Sequence, residues 1–463
     1  MAVIQSLRDF SAVLRRRLWA VRVIVLGFVG AILLGTILLM LPQSTVGPRL
    51  SAVDALFTST SGVCVTGLTV INVGDELSAF GQAVLLFLIQ IGGLGIMTLS
   101  TFFTIMLRRR LSLADRDMIS TSFSAGSVPD VGSLVRSVVL LTVTFEVAGA
   151  ILLFFRFIAD YPAGEAAYRA LFHSVSAFCN AGFSLNPDSF VAFQGDPYVN
   201  LVMMALIVIG GIGFVVLIEL RDRFLLHRRN GVTLSLHTRL VLVTTGLLIL
   251  GGWILFEIFE WSNSLSGKPL MNKFLAGLFQ SVTPRTAGFN TINIGSLSNP
   301  TLLLLMILMF IGAAPASTGG GIKVTTFGVM IGIALARFRG SDDVNMFSRR
   351  VRSEVVRRAL AIFTAALVVL VIFTMLVLIA QFGFASRSHT EGAFLKTLFE
   401  VTSAFGTVGL STGITPELAP LARVFVSILM LVGRIGSLCI AVAIAAGEPK
   451  TRFRYAEETL MVG

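Results

Sequence analysis

Eight long apolar runs dominate this chain, at residues 18–41, 79–107, 134–159, 198–220, 238–261, 301–338, 357–382 and 421–446. A helix crosses the hydrocarbon core of a bilayer with about 20 consecutive apolar residues, so each run reads as a membrane span. The sixth is too long for one straight helix, and Pro315 with Gly319, Gly320 and Gly321 interrupts it. Composition agrees: 55% of the 463 residues are hydrophobic and 13% charged, with a mean hydropathy of +0.88. A soluble domain of this size cannot hide so much apolar surface, so the bilayer must serve as solvent.

The formal net charge of +11 does not mark a nucleic-acid surface. The basic residues stand in short clusters between the runs. These are Arg15, Arg16 and Arg17; Arg108, Arg109 and Arg110; Arg221, Arg223, Arg228 and Arg229; Arg337, Arg339, Arg349, Arg350 and Arg352; and Lys450, Arg452 and Arg454. If the spans alternate in direction, every cluster falls on one side of the membrane. Cytoplasmic loops are enriched in Lys and Arg, so both termini are expected in the cytoplasm of a multi-pass protein of the cell membrane. The first run is too long for a signal peptide and lacks a small-residue cleavage site, so it is expected to be retained. Cys64, Cys179 and Cys439 lie far apart, as do His173, His227, His237 and His389. Local spacing therefore builds no disulfide framework, metal knuckle or catalytic triad, and no enzyme is expected.

Between alternate runs, on the side away from the basic clusters, one short element recurs. It reads Ala55-Leu56-Phe57-Thr58-Ser59-Thr60-Ser61, then Ala170-Leu171-Phe172-His173-Ser174-Val175-Ser176. The third copy is Gly277-Leu278-Phe279-Gln280-Ser281-Val282-Thr283 and the fourth Thr397-Leu398-Phe399-Glu400-Val401-Thr402-Ser403. The phenylalanines are about 115, 107 and 120 residues apart, so the chain is one unit used four times. Each element is too short to cross a membrane and too apolar for an ordinary loop. Each runs into a turn with a glycine: Cys64-Val65-Thr66-Gly67, Cys179-Asn180-Ala181-Gly182, Arg285-Thr286-Ala287-Gly288 and Gly406-Thr407-Val408-Gly409.

The pattern predicts four re-entrant helices that return as extended segments. Irregular backbone at that depth is tolerated only where it lines a water-filled cavity. Four such segments around an axis present rings of carbonyl oxygens that can replace the water shell of a cation. Glycine permits the backbone angles that turn carbonyls inward, and four helix C-termini add partial negative charge. The alternative is four interfacial loops with ordinary turn glycines, but their common register argues against it.

At these residues the sequence resembles the Trk/Ktr/HKT superfamily of cation transporters, over nearly the whole chain. Ser281-Val282-Thr283-Pro284-Arg285-Thr286-Ala287-Gly288-Phe289-Asn290-Thr291 is the most specific stretch. The resemblance implies an all-α membrane protein of four tandem M1–P–M2 units, with eight transmembrane helices and four re-entrant pore helices around a quasi-four-fold pore. The units are expected at 1–110, 111–229, 230–340 and 341–447, with a cytoplasmic tail at 448–463. The chain starts directly at the first M1 helix, which resembles the Ktr-type subunit more than the longer Trk type. The family implies potassium uptake, with Trk-type or sodium-conducting HKT-like transport as the alternative. A serine at the first filter glycine accompanies sodium transport in some plant relatives, and Gly67 here favours potassium. The filters differ from one another and from TVGYG, so modest selectivity is expected.

The M2 spans carry a second repeat: Ile91-Gly92-Gly93-Leu94-Gly95, Ile209-Gly210-Gly211-Ile212-Gly213, Ile311-Gly312-Ala313-Ala314-Pro315 and Val432-Gly433-Arg434-Ile435-Gly436. Close helix packing accounts for the first two. The third continues through Ala316, Ser317, Thr318, Gly319, Gly320 and Gly321 to Lys323, and no helix runs cleanly through that. It lacks the GxxxxGK[ST] order of a phosphate loop. It resembles the family's intramembrane gating loop, against a passive kink as the alternative. Arg434 costs roughly 2.5–3.5 kcal/mol in mid-span, so a purpose is expected. Either it holds the gate below the filter, or it pairs with a buried acid such as Glu146.

The soluble segments between the runs, 341–358 among them, are short and leave no room for a nucleotide-binding domain. The Ktr resemblance implies a homodimer on a KtrA-type cytosolic ring that binds adenine nucleotide, with K+ as the transported ion and Na+ as an activating ion. No cofactor is expected on this chain itself. The tail 454–463 resembles the one that packs at the dimer interface in that group. A secondary transporter would call for inverted repeats, whereas these four units share one orientation.

Overall fold

The computed structural model describes residues 22, 24–108, 131–224, 234–385 and 392–446, and it is built almost wholly of helices. The clusters at Arg15 to Arg17, Arg109 to Arg110, Arg228 to Arg229 and Lys450 to Arg454, and the tail at 448–463, lie outside the described residues.

Long helices alternate with short ones. The chain begins with α1 (Ile24–Leu39), the short α2 (Ala52–Cys64) and α3 (Ala79–Arg108). Next come α4 (Val131–Phe157), the short α5 (Ala163–Phe178), then α6 (Pro197–Ile212) and α7 (Phe214–Phe224). The third group is α8 (Leu236–Glu260), the short α9 (Leu270–Val282), α10 (Asn299–Phe310) and α11 (Val324–Phe338). The last is α12 (Ser353–Phe382), the short α13 (Ala393–Gly406) and α14 (Pro420–Ala446). Among the described residues, Val135–Phe157, Leu236–Glu260 and Ser353–Phe382 are long and apolar enough to cross a membrane alone. Their outer faces carry bare hydrocarbon: Phe155 is 67% exposed, Leu247 65% and Met375 61%. Such faces belong in lipid.

The starts of these helices are legible locally. Ser51 Oγ accepts the Asp54 N–H at 3.1 Å. Asp196 Oδ1 accepts from the N–H groups of Tyr198 and Val199, with Pro197 at the first position. Ser235 Oγ accepts the Thr238 N–H. Each satisfies donors that a helix N-terminus leaves free. The short helices have 13, 16, 13 and 14 residues. At 1.5 Å per residue they span roughly 20 to 24 Å, below the roughly 30 Å of a hydrocarbon core. Phe57, Phe172, Phe279 and Phe399 of the repeated Leu-Phe pair are all buried. In lipid their contribution is packing rather than escape from water.

A seryl hydroxyl ties three short helices to the long helix before them. Ser59 Oγ donates to Ile32 O, Ser174 Oγ to Glu146 O and Ser281 Oγ to Ile249 O, at 2.6 to 2.7 Å. Val401 holds the corresponding place in α13. A Cβ on Gly35, Gly149 or Gly252 would strike these hydroxyls, so the small residues let the helices close. On the other flank, a Cβ on Gly92, Gly210 or Gly433 would strike the carbonyl oxygen of Val63, Phe178 or Phe405. The glycines of the second repeat thus seat the C-terminal ends of the short helices.

One sequence expectation is corrected. The run 198–220 is not one straight helix: α6 and α7 meet at Gly213 with a bend of 104°, and Gly213 has φ +94°. The similar Gly92-Gly93-Leu94-Gly95 lies inside the continuous α3. The difference is what docks there, since Gly213 faces the carbonyl oxygen of Pro315. The run 301–338 breaks as the sequence predicts, at 311–323 between α10 and α11.

Candidate functional site

Beyond each short helix the chain turns back through its glycine. Gly67, Gly182, Gly288 and Gly409 have φ of +92°, +72°, +76° and +96°. Two residues earlier, Val65, Asn180, Thr286 and Thr407 are also left-handed, at +54°, +59°, +72° and +50°. Four non-glycine residues held there mark a backbone fixed by its surroundings.

The four glycines close a ring. A Cβ on Gly67 would lie 2.5 Å from the carbonyl oxygen of Ala181, and one on Gly182 2.9 Å from that of Ala287. One on Gly288 would strike Val408 O, and one on Gly409 would strike Thr66 O. Each segment therefore abuts the next, and the fourth abuts the first. No side chain fits at any of the four positions without moving backbone. The hydroxyl that ends each repeated element pins this geometry. Ser61 Oγ accepts the Gly67 N–H at 3.0 Å and Ser403 Oγ the Gly409 N–H at 3.1 Å. Ser176 Oγ donates to Phe183 O at 2.8 Å, and Thr283 Oγ1 to Phe289 O at 2.5 Å. The sequence displayed these hydroxyls in register, but their role emerges only in three dimensions.

Side chains of other residues predicted to line the filter point elsewhere. Arg285 turns its guanidinium away from the ring, donating from Nη2 to Thr245 Oγ1 on α8 at 3.2 Å. Cys64 and Cys179 are buried free thiols, and Cys179 lies behind the ring, donating towards Gln90 and Glu146. Gly406 packs against Met309 O. Outside the ring opens a vestibule of about 540 Å³ lined by the four glycines and by Asn72, Asn186, Asp188, Asn290 and Ser411 among others.

Directly beneath lies the loop 311–323. A Cβ on Gly319 would strike Thr286 Oγ1 and one on Gly320 would strike Thr407 Oγ1, so both glycines sit against side chains of the segments that form the ring. Gly312 N–H donates to Ile322 O at 2.8 Å and Val324 N–H to Ala313 O at 3.2 Å, which closes the loop on itself. Ser317 Oγ donates to Ala314 O, and Lys323 Nζ to Gly319 O at 2.6 Å. The loop also bonds to the broken end of α6. Ala314 N–H donates to Gly211 O at 3.0 Å and Thr318 N–H to Gly210 O at 3.3 Å. Phe214 N–H donates in return to Ala316 O at 2.9 Å. Ala316 and Gly321 take the left-handed conformation that these turns require.

Arg434 is buried and reaches this loop. Its Nη1 donates to Thr318 O and its Nη2 to Gly92 O at 2.8 Å. Glu146 instead accepts from Gln90 Nε2 at 3.0 Å, and no ion pair joins it to Arg434 among the described residues. The arginine therefore bonds carbonyl oxygens of the loop and of α3, and the acid is not its partner.

Comparison with known proteins agrees in family and fold. The chain matches the TrkH family, described as cation transport protein, over residues 24–454. It is similar to Ktr system potassium uptake protein B of Bacillus subtilis, 38% identical and covering 96% of each chain. It is also similar to the protein of that name from Vibrio alginolyticus, 37% identical over 96% of this chain and 94% of that one. The potassium/sodium uptake protein NtpJ of Enterococcus hirae is 37% identical over 97% of this chain and 98% of its own. Among solved structures, the potassium transporter TrkH from Vibrio parahaemolyticus shares the fold. Its TM-score is 0.68 at 21% identity, covering 90% of this chain and 84% of that chain.

Proposed function

The chain belongs to the TrkH family of cation transport proteins, and we propose that it is the ion-translocating subunit of a Ktr-type potassium uptake system. The observation that carries this reading is the closed ring of Gly67, Gly182, Gly288 and Gly409. A ring of main-chain groups held by buried hydroxyls can exchange a cation's water shell for carbonyl oxygens without a charged side chain. The similarity to potassium uptake proteins over nearly the full length makes potassium the substrate.

In this reading the four units at 1–110, 111–229, 230–340 and 341–447 each supply an outer helix, a pore helix and an inner helix, giving eight spans with cytoplasmic termini. The loop 312–323 is the gate, and Arg434 is its latch. The latch bond, the Lys323 bond and the main-chain bonds to α6 hold the loop beneath the filter. Hydrogen bonds to charged groups contribute about 1.5–3 kcal/mol each and neutral ones about 0.5–1.5 kcal/mol. An allosteric coupling of typically 1–3 kcal/mol can therefore shift the loop's population. The source of that coupling is a cytosolic, nucleotide-binding KtrA-type ring beneath a homodimer, with uptake stimulated by sodium.

A second reading, in which sodium is carried as well, follows from similarity to a potassium/sodium uptake protein. Flux of K+ and of Na+ into liposomes holding the purified chain, with and without a cytosolic nucleotide-binding partner, tests both. Potassium entry that rises with the partner supports the first, and sodium entry at a comparable rate supports the second. Absence of flux in either ion would refute the pore.

A further inference from the structure

The residue after the Leu-Phe pair differs in each short helix: Thr58, His173, Gln280 and Glu400. All four are buried, yet only two reach the segment that leaves the filter towards the vestibule. Glu400 Oε2 accepts from Ser411 Oγ at 2.8 Å, and Oε1 accepts from Thr415 Oγ1. Ser411 Oγ in turn accepts the Gly413 N–H at 3.0 Å. His173 Nε2 accepts the Leu185 N–H at 3.2 Å and meets Ser184 Oγ at 3.1 Å. Ser184 Oγ likewise accepts the Asn186 N–H, at 3.0 Å. Ser184 and Ser411 both stand two residues beyond their filter glycines and both line the vestibule. By contrast, Thr58 Oγ1 and both amide atoms of Gln280 have no hydrogen-bond partner among the described residues.

The ring order gives this difference a shape. Gly182 abuts Gly67 and Gly288, and Gly409 abuts the same two from the other side. The second and fourth segments therefore face each other across the axis. We infer that Glu400 and His173 are positioning residues that brace the outer ends of these two opposed segments and so set how sharply the pore discriminates between cations. The first and third segments lack this brace. Discrimination between ions of equal charge depends on the size of the carbonyl ring and on the field its dipoles present, and a wall of the ring that moves changes both. A buried carboxylate bonded by two hydroxyls fixes one wall of that ring more firmly than neutral contacts do. This inference rests on the reading of the glycine ring as a cation filter.

The test is the K+ over Na+ preference of the full chain in liposomes, normalised to the amount of folded protein. Glu400→Leu removes both acceptors, and the preference is expected to fall about ten-fold or more, as for loss of a hydrogen bond to a charged group. Glu400→Gln can still accept from one hydroxyl and donate to the other, so it is expected to restore most of the preference. Ser411→Ala should fall in the same direction, and Glu400→Leu with Ser411→Ala should be less than additive. Gln280→Leu, at the equivalent but unbonded position, should leave the preference unchanged. Gly67→Ser serves as the control for the filter itself. If Gly67→Ser changes the preference and Glu400→Leu does not, the brace is wrong and the filter stands. If Gln280→Leu changes it as much as Glu400→Leu, burial rather than bracing is at work and the inference fails. If Gly67→Ser also has no effect, the filter assignment falls and the brace with it.

Discussion

The guanidinium of Arg434, on the last long helix, donates to the carbonyl oxygen of Thr318 in the loop beneath the four-glycine ring. The two residues are 116 positions apart in sequence, and the bond joins α14 to the loop between α10 and α11. Its partner bond to Gly92 O adds a third. One buried cation thus ties the loop to two neighbouring elements.

Removing that tie should free the loop. Arg434→Ala is expected to raise potassium influx per folded protein by about ten-fold, the scale set by one hydrogen bond to a charged group. Arg434→Lys should fall between, since an ammonium carries the charge without the forked geometry. Influx in vesicles normalised to protein checks this. Unchanged influx at normal protein level would remove Arg434 from gating.

The loop itself is the second target. Deleting 314–319 removes Thr318 and Gly319, which sit against the filter and against Phe178 O and Gly210 O. Uptake in the folded deletion protein is expected to rise and to lose its dependence on a regulatory partner. A folded deletion protein with wild-type flux would make the loop a passive kink.

Gly213 is the third. It sits at φ +94°, and an added Cβ would lie 2.5 Å from Pro315 O. Gly213→Ala should cost about 1–3 kcal/mol from backbone conformation alone and push the loop off α6. The expected result is a lower melting temperature in detergent together with a higher basal leak. A lower melting temperature without any leak would show that the break at Gly213 supports folding only.

Much of this architecture could be read from the residues, because its signals are local. Apolar length located the long helices, and the Leu-Phe element located the short ones. The run from Gly312 to Lys323 announced its own break, since proline and consecutive glycines act on the backbone where they stand. The break at Gly213 was not legible. Gly92-Gly93-Leu94-Gly95 and Gly210-Gly211-Ile212-Gly213 follow one pattern, yet only the second meets a loop 100 residues away that takes up its free carbonyls. The loop was one of the two partners the sequence offered Arg434, but the atoms it bonds were hidden for the same reason: a main-chain carbonyl leaves no mark in sequence, whereas an acid such as Glu146 does. The hydroxyls Ser61, Ser176, Thr283 and Ser403 were visible as a pattern but mute, because their acceptors and donors belong to the returning backbone.

The ring of glycines as a potassium filter is tested most directly at Gly67. A side chain there must displace the backbone at Ala181 and Gly182 in a conformation that L residues rarely adopt. Sodium competition against potassium uptake should therefore be compared in liposomes holding the wild-type chain and Gly67→Ser. The wild-type chain is expected to prefer potassium, and Gly67→Ser to lower this preference by about ten-fold or more, on the scale of one lost strong interaction. Equal competition in the two proteins would contradict it.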